Sequence, residues 1–290
     1  MAKIPFVDTH VHFSDLRKKE LVYSWLQPEF VHPLIGDING IKTLVYGAEQ
    51  FMGESRCANV SKIVHVQAAL GAADPVLETE WLETMAERTG YPHGIVAHSD
   101  LRGTGLEAEL ERHVSASARV SGIRDFGEGD YLVDPVWQRG YALLEKFDLL
   151  CDLDCAWEDM GKARDVAQRY PGVTMVLEHA GFPRSRSDEY FRDWKGGLHD
   201  LAQAESVFCK ISGLGMFDQH WTVESLRPWV MACIEAFGVE RSFFASNWPV
   251  DRLYSSYDPL IDAYFEIISE FSPSEQVALF SGNAERVYKI

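Results

Sequence analysis

The sequence predicts a single (β/α)8 barrel, and three observations lead to this fold class. Eight short runs of β-forming residues alternate along the chain with segments of helical periodicity. The chain has 290 residues, which is within the usual length of one such barrel. No low-complexity linker and no repeat of about 20–50 residues divides it. We therefore expect residues 1–290 to form one domain.

The predicted strands are apolar runs that end in polar residues. They are Phe6–His12, Lys62–Ala68, Gly94–Asp100, Val120–Phe126, Leu149–Cys155, Thr174–His179, Val207–Ser212 and Ser242–Asn247. In a barrel, successive side chains alternate between the interior and the surrounding helices, and the carboxyl ends of all strands meet at one mouth. The polar strand ends therefore predict a functional site at that mouth.

The segments between the strands carry recognisable signals for helix starts and ends. Asp74-Pro75 and Asp134-Pro135 are each typical of an N-cap followed by a first-turn proline. We expect helices at Leu77–Arg88, Val136–Phe147, Glu158–Tyr170 and Thr222–Phe237. Segment 13–61 is too long for a plain crossover. Its aromatic residues predict either a packed excursion over the barrel mouth or an extra layer on the barrel side.

Composition excludes several classes of partner. The formal charge of −17 argues against nucleic acid and against an anionic membrane, and no apolar run approaches the ~18 residues of a membrane span. The five cysteines are odd in number and lack Cys-x-x-Cys spacing. We expect a reduced, cytoplasmic protein that acts on a small molecule, and the sequence leaves both a monomer and a homo-oligomer open.

A pair of histidines stands at the end of the first predicted strand, in Val7-Asp8-Thr9-His10-Val11-His12. Residues two apart on a strand point to the same face, so His10 and His12 aim at one spot. Two converging imidazoles suit a metal ion or a polarised carbonyl group. The pair therefore predicts an active site at the tip of this strand.

The alternation of inward and outward side chains along each strand adds more polar residues to the same site. The polar residues that this alternation turns inward at the strand ends are Gln67, Arg124, Asp154, His179, Lys210, Ser212 and Asn247. On the second strand this assignment places Val64 and Val66 outside and His65 inside, where we expect His65 to be a satisfied core group. An interior that only stabilised the fold would carry Val, Ile and Leu at these positions, so the polar set indicates a function.

Cations near the strand ends bear on the charge of the substrate. They are Arg102, Arg124, Arg184, Lys210 and Arg252. On so acidic a chain, several cations at one rim suit a carboxylate-bearing ligand, with arginine preferred for bidentate contact. The alternative is that some of them pair with nearby aspartates. Trp25 offers a flat apolar surface for a sugar or an aromatic-derived ring.

Seven motifs run in order across almost the whole chain. They are Asp8-Thr9-His10-Val11-His12, His65-Val66-Gln67-Ala68, Glu78-Thr79-Glu80-Trp81-Leu82, Gly122-Ile123-Arg124, Glu178-His179-Ala180-Gly181, Lys210-Ile211-Ser212-Gly213-Leu214 and Ser246-Asn247-Trp248-Pro249-Val250-Asp251. Through these motifs the chain resembles the amidohydrolase superfamily, in the branch that includes sugar-acid lactonases and 2-pyrone-4,6-dicarboxylate lactonases. The resemblance implies a (β/α)8 hydrolase in which His10, His12 and His179 surround the scissile group and hold a metal ion if one is present.

The chain departs from the family pattern at two positions. Family members commonly carry an aspartate where this chain has Asn247, and the fourth-strand lysine of two-metal relatives is absent, with Arg124 nearest to its place. An amide cannot act as a general base, so the base must be His179, Asp154 or Asp251. The missing eighth-strand carboxylate leaves at most one divalent ion, and the branch includes enzymes that work without a metal. We therefore predict none or one ion, with zinc the best match to three imidazoles.

These observations predict a hydrolase that opens the lactone of a small sugar-derived or acidic compound by attack of water on a polarised carbonyl. The residues expected to bind substrate are Gln67, Arg124, Lys210, Arg184, Trp25 and Arg252. Asn247 would orient water or a carbonyl group by hydrogen bonding. Because a fold does not fix its chemistry, a decarboxylase or an amide hydrolase remains an alternative, as does a non-catalytic binder of sugar acids.

Overall fold

Eight parallel strands form a single sheet in the computed structural model of the chain, which describes residues 4–290. In chain order they are β1 (Phe6–Val11), β2 (Val60–Val66), β3 (Gly94–His98), β4 (Val120–Arg124), β5 (Leu150–Leu153), β6 (Met175–Leu177), β7 (Val207–Ile211) and β8 (Ser242–Phe244). The sheet closes where His12 N donates to Trp248 O at 2.8 Å and Trp248 N donates to His10 O at 3.1 Å. The predicted (β/α)8 barrel is confirmed.

Helices surround this barrel. They are α1 (Ala48–Glu54), α2 (Val76–Thr89), α3 (Leu106–Ala116), α4 (Pro135–Leu143), α5 (Met160–Arg169), α6 (Asp188–Leu201), α7 (Val223–Phe237), α8 (Tyr257–Ile267), α9 (Pro273–Val277) and α10 (Asn283–Tyr288). Asp134 caps α4 as predicted, since its side chain accepts from Val136 N at 2.8 Å. Across residues 4–290, no helix combines the length and the apolar character that crossing a bilayer requires.

Two apolar layers divide the strand residues between them. The outer layer packs strand side chains such as Ile95 and Ile123 against the helices. The inner layer fills the lower end of the barrel with the side chains of Val7, Val64, Val66, Val96, Leu150, Val176, Phe243 and Tyr288. The composition of the inner layer corrects the inward and outward positions that we predicted for β2. Its two valines point inward because branched apolar side chains fill barrel interiors, and His65 faces α2, where its Nε2 lies 3.4 Å from Glu78 Oε1.

A bulge in β1 sets the direction of the paired histidines. Asp8 pairs with Ile63 and Val11 with His65, so three steps along β1 match two along β2. One extra residue reverses the inward–outward alternation. Val11 therefore belongs to the outer layer, and His10 and His12 on either side of it point into the barrel.

Segment 13–61 is the longest connection and contains little regular structure besides α1. A short antiparallel pair joins Ser14–Asp15 to Val45–Tyr46. Three isoleucines of the segment form a cluster with Met216 and Val250, which follow β7 and β8. The cluster consists of Ile35, Ile38, Ile41, Met216 and Val250. The segment thus lies against loops at the carboxyl ends of the strands.

Candidate active site

His10 and His12 face each other at the carboxyl end of β1. Their Nε2 atoms are 3.1 Å apart, and both side chains are buried. His12 Nδ1 lies 2.8 Å from Val66 O. A carbonyl oxygen can only accept a hydrogen bond, so His12 carries its proton on Nδ1 and presents the lone pair of Nε2 toward His10.

Glu178 and His179 enter the same space from the end of β6. His179 and Ala180 adopt left-handed backbone angles, with φ of 50° and 54°. This turn directs two consecutive side chains inward, which an extended strand cannot do. Glu178 Oε1 lies 3.3 Å from His10 Nδ1, and His179 Nδ1 lies 2.9 Å from Ser212 Oγ. One ligand atom each from His10, Glu178 and His179 lies within 4.8 Å of the others.

Glu178 is a site residue that the parity argument misses. If side chains alternated regularly along the strand and His179 pointed inward, Glu178 would point outward. The left-handed turn is what brings Glu178 into the site. The usable signal was the run Glu178-His179-Ala180-Gly181, in which two polar residues precede a glycine at a predicted strand end. A tight turn at this point breaks the alternation on which the parity argument depends.

The charge of Glu178 is stabilised despite its burial. Burial alone would raise its pKa, but nearby cations outweigh that effect and hold the pKa well below its usual value. Arg124 Nε lies 2.8 Å from Glu178 Oε2, and Lys210 Nζ lies 3.5 Å from Glu178 Oε1. The site therefore contains a carboxylate, not a carboxylic acid, at neutral pH.

The three site histidines are neutral at the same pH. Burial lowers the pKa of His12 to about 3, and the positive charge of Arg124 contributes to the shift. Burial also lowers the pKa values of His10 and His179 well below their usual range. Neutral imidazole is the form that ligates metals.

A cavity of about 700 Å³ opens above these groups. We call its polar end the floor, which consists of His12, Gln67, Arg124, Asp154, His179 and Asn247. Gln67 is 1% exposed, and neither its amide nitrogen nor its amide oxygen has a hydrogen-bond partner within residues 4–290. A buried amide without partners is costly, so Gln67 is placed to bind a polar ligand.

Lys210 lies beneath the floor instead of lining the cavity. Its ammonium group bonds to the Asp152 carboxylate, which also accepts from Tyr288 Oη at 2.9 Å. Burial raises the pKa of Asp152 to about 7, and the charge of Lys210 opposes that rise. The predicted contact between Lys210 and substrate is therefore corrected to a contact with Glu178 and Asp152.

For the five cations near the strand ends, the structure favours the alternative in which some of them pair with groups of the chain. Arg124 and Arg184 line the cavity. Arg252 bonds instead to Glu54 Oε1 at 2.9 Å and to Gly40 O at 3.1 Å, so it anchors segment 13–61. Arg102 Nε lies 3.6 Å from Asp134 Oδ2.

Asn247 lines the floor, and Asp251 lies behind it. Asn247 Nδ2 donates to Asp251 Oδ2 at 2.7 Å, and Asp251 is 1% exposed. Burial raises the pKa of Asp251 to about 7. Asp154 is the aspartate of the floor, and burial raises its pKa while Arg124 opposes the shift. Of the two candidate aspartates, the structure therefore brings Asp154 to the cavity.

Trp25 stands beside the histidine pair. Its ring centroid is 5.8 Å from that of His12, and its Nε1 donates to Ala68 O at 2.8 Å. The indole N–H is thus already satisfied. Trp25 therefore offers the cavity an aromatic ring without a free donor.

Comparison with known proteins places the chain among enzymes of one family. The chain matches the family model described as amidohydrolase over residues 7–290. It is 36% identical to an uncharacterized protein of Sinorhizobium fredii, y4mH, with 100% of both chains aligned. It is 25% identical to an L-fucono-1,5-lactonase of Burkholderia ambifaria, across 98% of this chain and 95% of the relative.

A solved structure supports the same assignment of the fold. The crystal structure of an amidohydrolase from Burkholderia multivorans with bound zinc has a TM-score of 0.83 to this chain at 24% identity. The alignment covers 99% of each chain. Because the family model spans the barrel from β1 to the last helix, the chain belongs to the amidohydrolase family.

Proposed function

We propose that this chain opens a lactone ring by attack of water on the lactone carbonyl. The observation that carries the proposal is the convergence of three neutral imidazoles and the Glu178 carboxylate beneath a cavity of small-molecule size. Similarity to L-fucono-1,5-lactonases at 25% and 26% identity supports the reaction class.

The protonation of the histidine pair favours a cation between its two members. His12 presents a bare Nε2 to His10 Nε2 at 3.1 Å. If neutral His10 carries its proton on Nδ1, it donates to Glu178, and two lone pairs then face each other. If the proton is on Nε2, the lone pair of Nδ1 faces the Glu178 carboxylate at 3.3 Å. A divalent ion held by His10 and His12 would remove this conflict, and a carboxylate behind a ligating histidine is a usual arrangement.

His10, His12 and His179 would hold such an ion, with Glu178 behind His10, and three imidazoles suit zinc. The chemistry that zinc supplies when bound is Lewis-acid polarisation of a carbonyl oxygen. The fourth barrel strand carries Arg124 where two-metal relatives have a lysine. Among the described residues, His10, Glu178 and His179 are the one cluster with metal-ligand spacing. A single ion therefore fits the site.

The remaining residues of the floor position the reactants and move the proton. Asp154 is the proposed proton acceptor because its carboxylate lines the cavity and its pKa is raised. Gln67 and Asn247 orient the water and the ring oxygens by hydrogen bonding. Arg124 and Arg184 are the cations available to the carboxylate that ring opening releases.

The proposed reaction balances without a further reactant. The water oxygen forms a bond to the carbonyl carbon as Asp154 takes a proton from that water. The bond between the carbonyl carbon and the ring oxygen then breaks, and Asp154 returns its proton to the ring oxygen, which becomes a hydroxyl group. The product is a hydroxy acid, which ionises and releases one proton at neutral pH.

A panel of γ- and δ-lactones tests the proposed function. We expect proton release, followed with a pH indicator, to accelerate on addition of the chain for at least one lactone in the panel. The His10→Ala variant is the matched control and is expected to remain at the spontaneous rate. Release of CO2 from aromatic carboxylates with no lactone opened would contradict the proposal and favour a decarboxylase.

The metal content of the purified chain is a second prediction. We expect about one zinc ion per chain by elemental analysis, because the described residues contain one cluster of side chains with metal-ligand spacing. The His10→Ala variant is expected to lose most of this zinc. Two tightly bound ions per chain, or an unchanged zinc content in the variant, would contradict the assignment.

A further inference from the structure

Besides the floor, the cavity has an apolar part of its wall. We call this part of the wall the roof, and it consists of Trp25, Phe30, Leu34, Ile35, Ile38 and Phe182. Five of these six side chains come from segment 13–61, and Phe182 follows β6. Residues at the carboxyl ends of the barrel strands thus supply the polar floor, while segment 13–61 supplies most of an apolar surface in the same cavity.

The roof offers few polar atoms to a ligand. The Trp25 indole N–H is already bonded to Ala68 O at 2.8 Å. His32 also lines the cavity, and its Nδ1 accepts from Leu34 N at 3.2 Å and from Ile35 N at 3.3 Å. Hydroxyl groups placed against this surface would lose hydrogen bonds to water without replacing them. A ligand that is polar on all sides therefore matches the floor but not the roof.

The size and exposure of the roof indicate what it binds. The cavity volume of about 700 Å³ is typical of sites for ligands larger than a bare lactone ring. Leu34 is 50% exposed at the cavity mouth. Arg184 and Glu128 also line the cavity and are exposed, which places them at its rim. An apolar group that extends from the floor toward this rim would cover the roof residues.

We propose that the lactone opened at this site carries a hydrocarbon substituent that lies against the roof while its ring contacts the floor. This inference rests on the lactonase function proposed above. The ring carbonyl meets the histidines, and the substituent passes Trp25, whose ring centroid is 5.8 Å from that of His12. The substrate class is therefore an amphiphilic lactone and not a polyhydroxylated one.

A homologous series of substrates tests this inference. The probes are δ-lactones that carry hydrogen, methyl, propyl or pentyl on the carbon next to the ring oxygen, with glucono-1,5-lactone as the polar comparison. We expect kcat/KM to rise about fourfold for each buried methylene until the chain passes the roof. The pentyl compound is expected to exceed both the unsubstituted ring and glucono-1,5-lactone.

A matched pair of variants separates the contribution of the roof to substrate preference from the general effect of replacing an exposed leucine. Leu34→Asn is expected to lower the ratio of kcat/KM between the pentyl and unsubstituted lactones by about threefold or more. Leu44→Asn is the control, because Leu44 is 63% exposed on the same segment but does not line this cavity. The control is expected to keep the wild-type ratio.

The outcomes distinguish the two proposals. A flat or falling series with glucono-1,5-lactone as the best substrate overturns the inference and leaves the lactonase function in place. Equal ratios for wild type and Leu34→Asn also overturn the assignment of the roof. If none of the lactones is opened, both the function and the inference fail.

Discussion

Replacement of His12 by alanine is expected to lower kcat/KM for a lactone roughly a thousandfold or more, which corresponds to about 4 kcal/mol of transition-state stabilisation. His12 presents a bare Nε2 at 3.1 Å from His10 Nε2, so its loss removes one of the groups that would hold an ion or polarise the carbonyl. The free energy of unfolding is expected to change by only about 1 kcal/mol. His12 lines a cavity, where water can replace its bond to Val66 O.

A second buried histidine provides the control for this experiment. His113 contacts Thr79 Oγ1 at 2.8 Å and His98 O at 3.1 Å and does not line the cavity. His113→Ala is expected to lower the free energy of unfolding by about 2 kcal/mol, because it leaves buried polar partners unsatisfied, and to retain kcat/KM. Steady-state kinetics and chemical denaturation check both variants. A stable, fully active His12→Ala enzyme would place the reaction elsewhere.

The fold and part of the site were accessible from sequence because they depend on local periodicity. Alternating strand and helix patterns predicted the barrel, and the same alternation correctly predicted inward positions for Arg124, Asp154 and Lys210. For His10 and His12, the expected convergence is observed, although the bulge in β1 is what turns the pair inward. Sequence spacing alone does not reveal that bulge.

The predictions that the structure corrects concern side chains whose positions depend on local backbone geometry or on partners that are distant in the sequence. The left-handed turn at His179 brings Glu178 into the site against the alternation. The partners of two predicted substrate-binding cations are remote along the chain, since Lys210 bonds to Asp152 and Arg252 to Glu54. Such pairings depend on the tertiary structure. Residue type alone therefore cannot separate a cation that binds a ligand from one that stabilises the fold.

Replacement of Asp154 by asparagine is expected to lower kcat about 10²–10⁴-fold, the usual contribution of a general base. Burial raises the pKa of Asp154, and the charge of Arg124 opposes that rise. A base works only when it is deprotonated, so activity is expected to fall as the pH falls through this raised pKa. The acidic limb of the pH–rate profile should therefore lie above the usual range of an aspartate, and Asp154→Asn should abolish it.

Asp251→Asn is the matched control, because Asp251 also has a raised pKa, of about 7, but lies behind Asn247. The introduced amide oxygen can still accept the hydrogen bond from Asn247 Nδ2, so the floor keeps its geometry. We expect this variant to retain both the wild-type limb and most of the activity. If Asp251→Asn removes the limb while Asp154→Asn leaves it, the proton passes to Asp251 instead. Asn247 would then connect that base to the reacting water, since its amide is the group that separates Asp251 from the cavity.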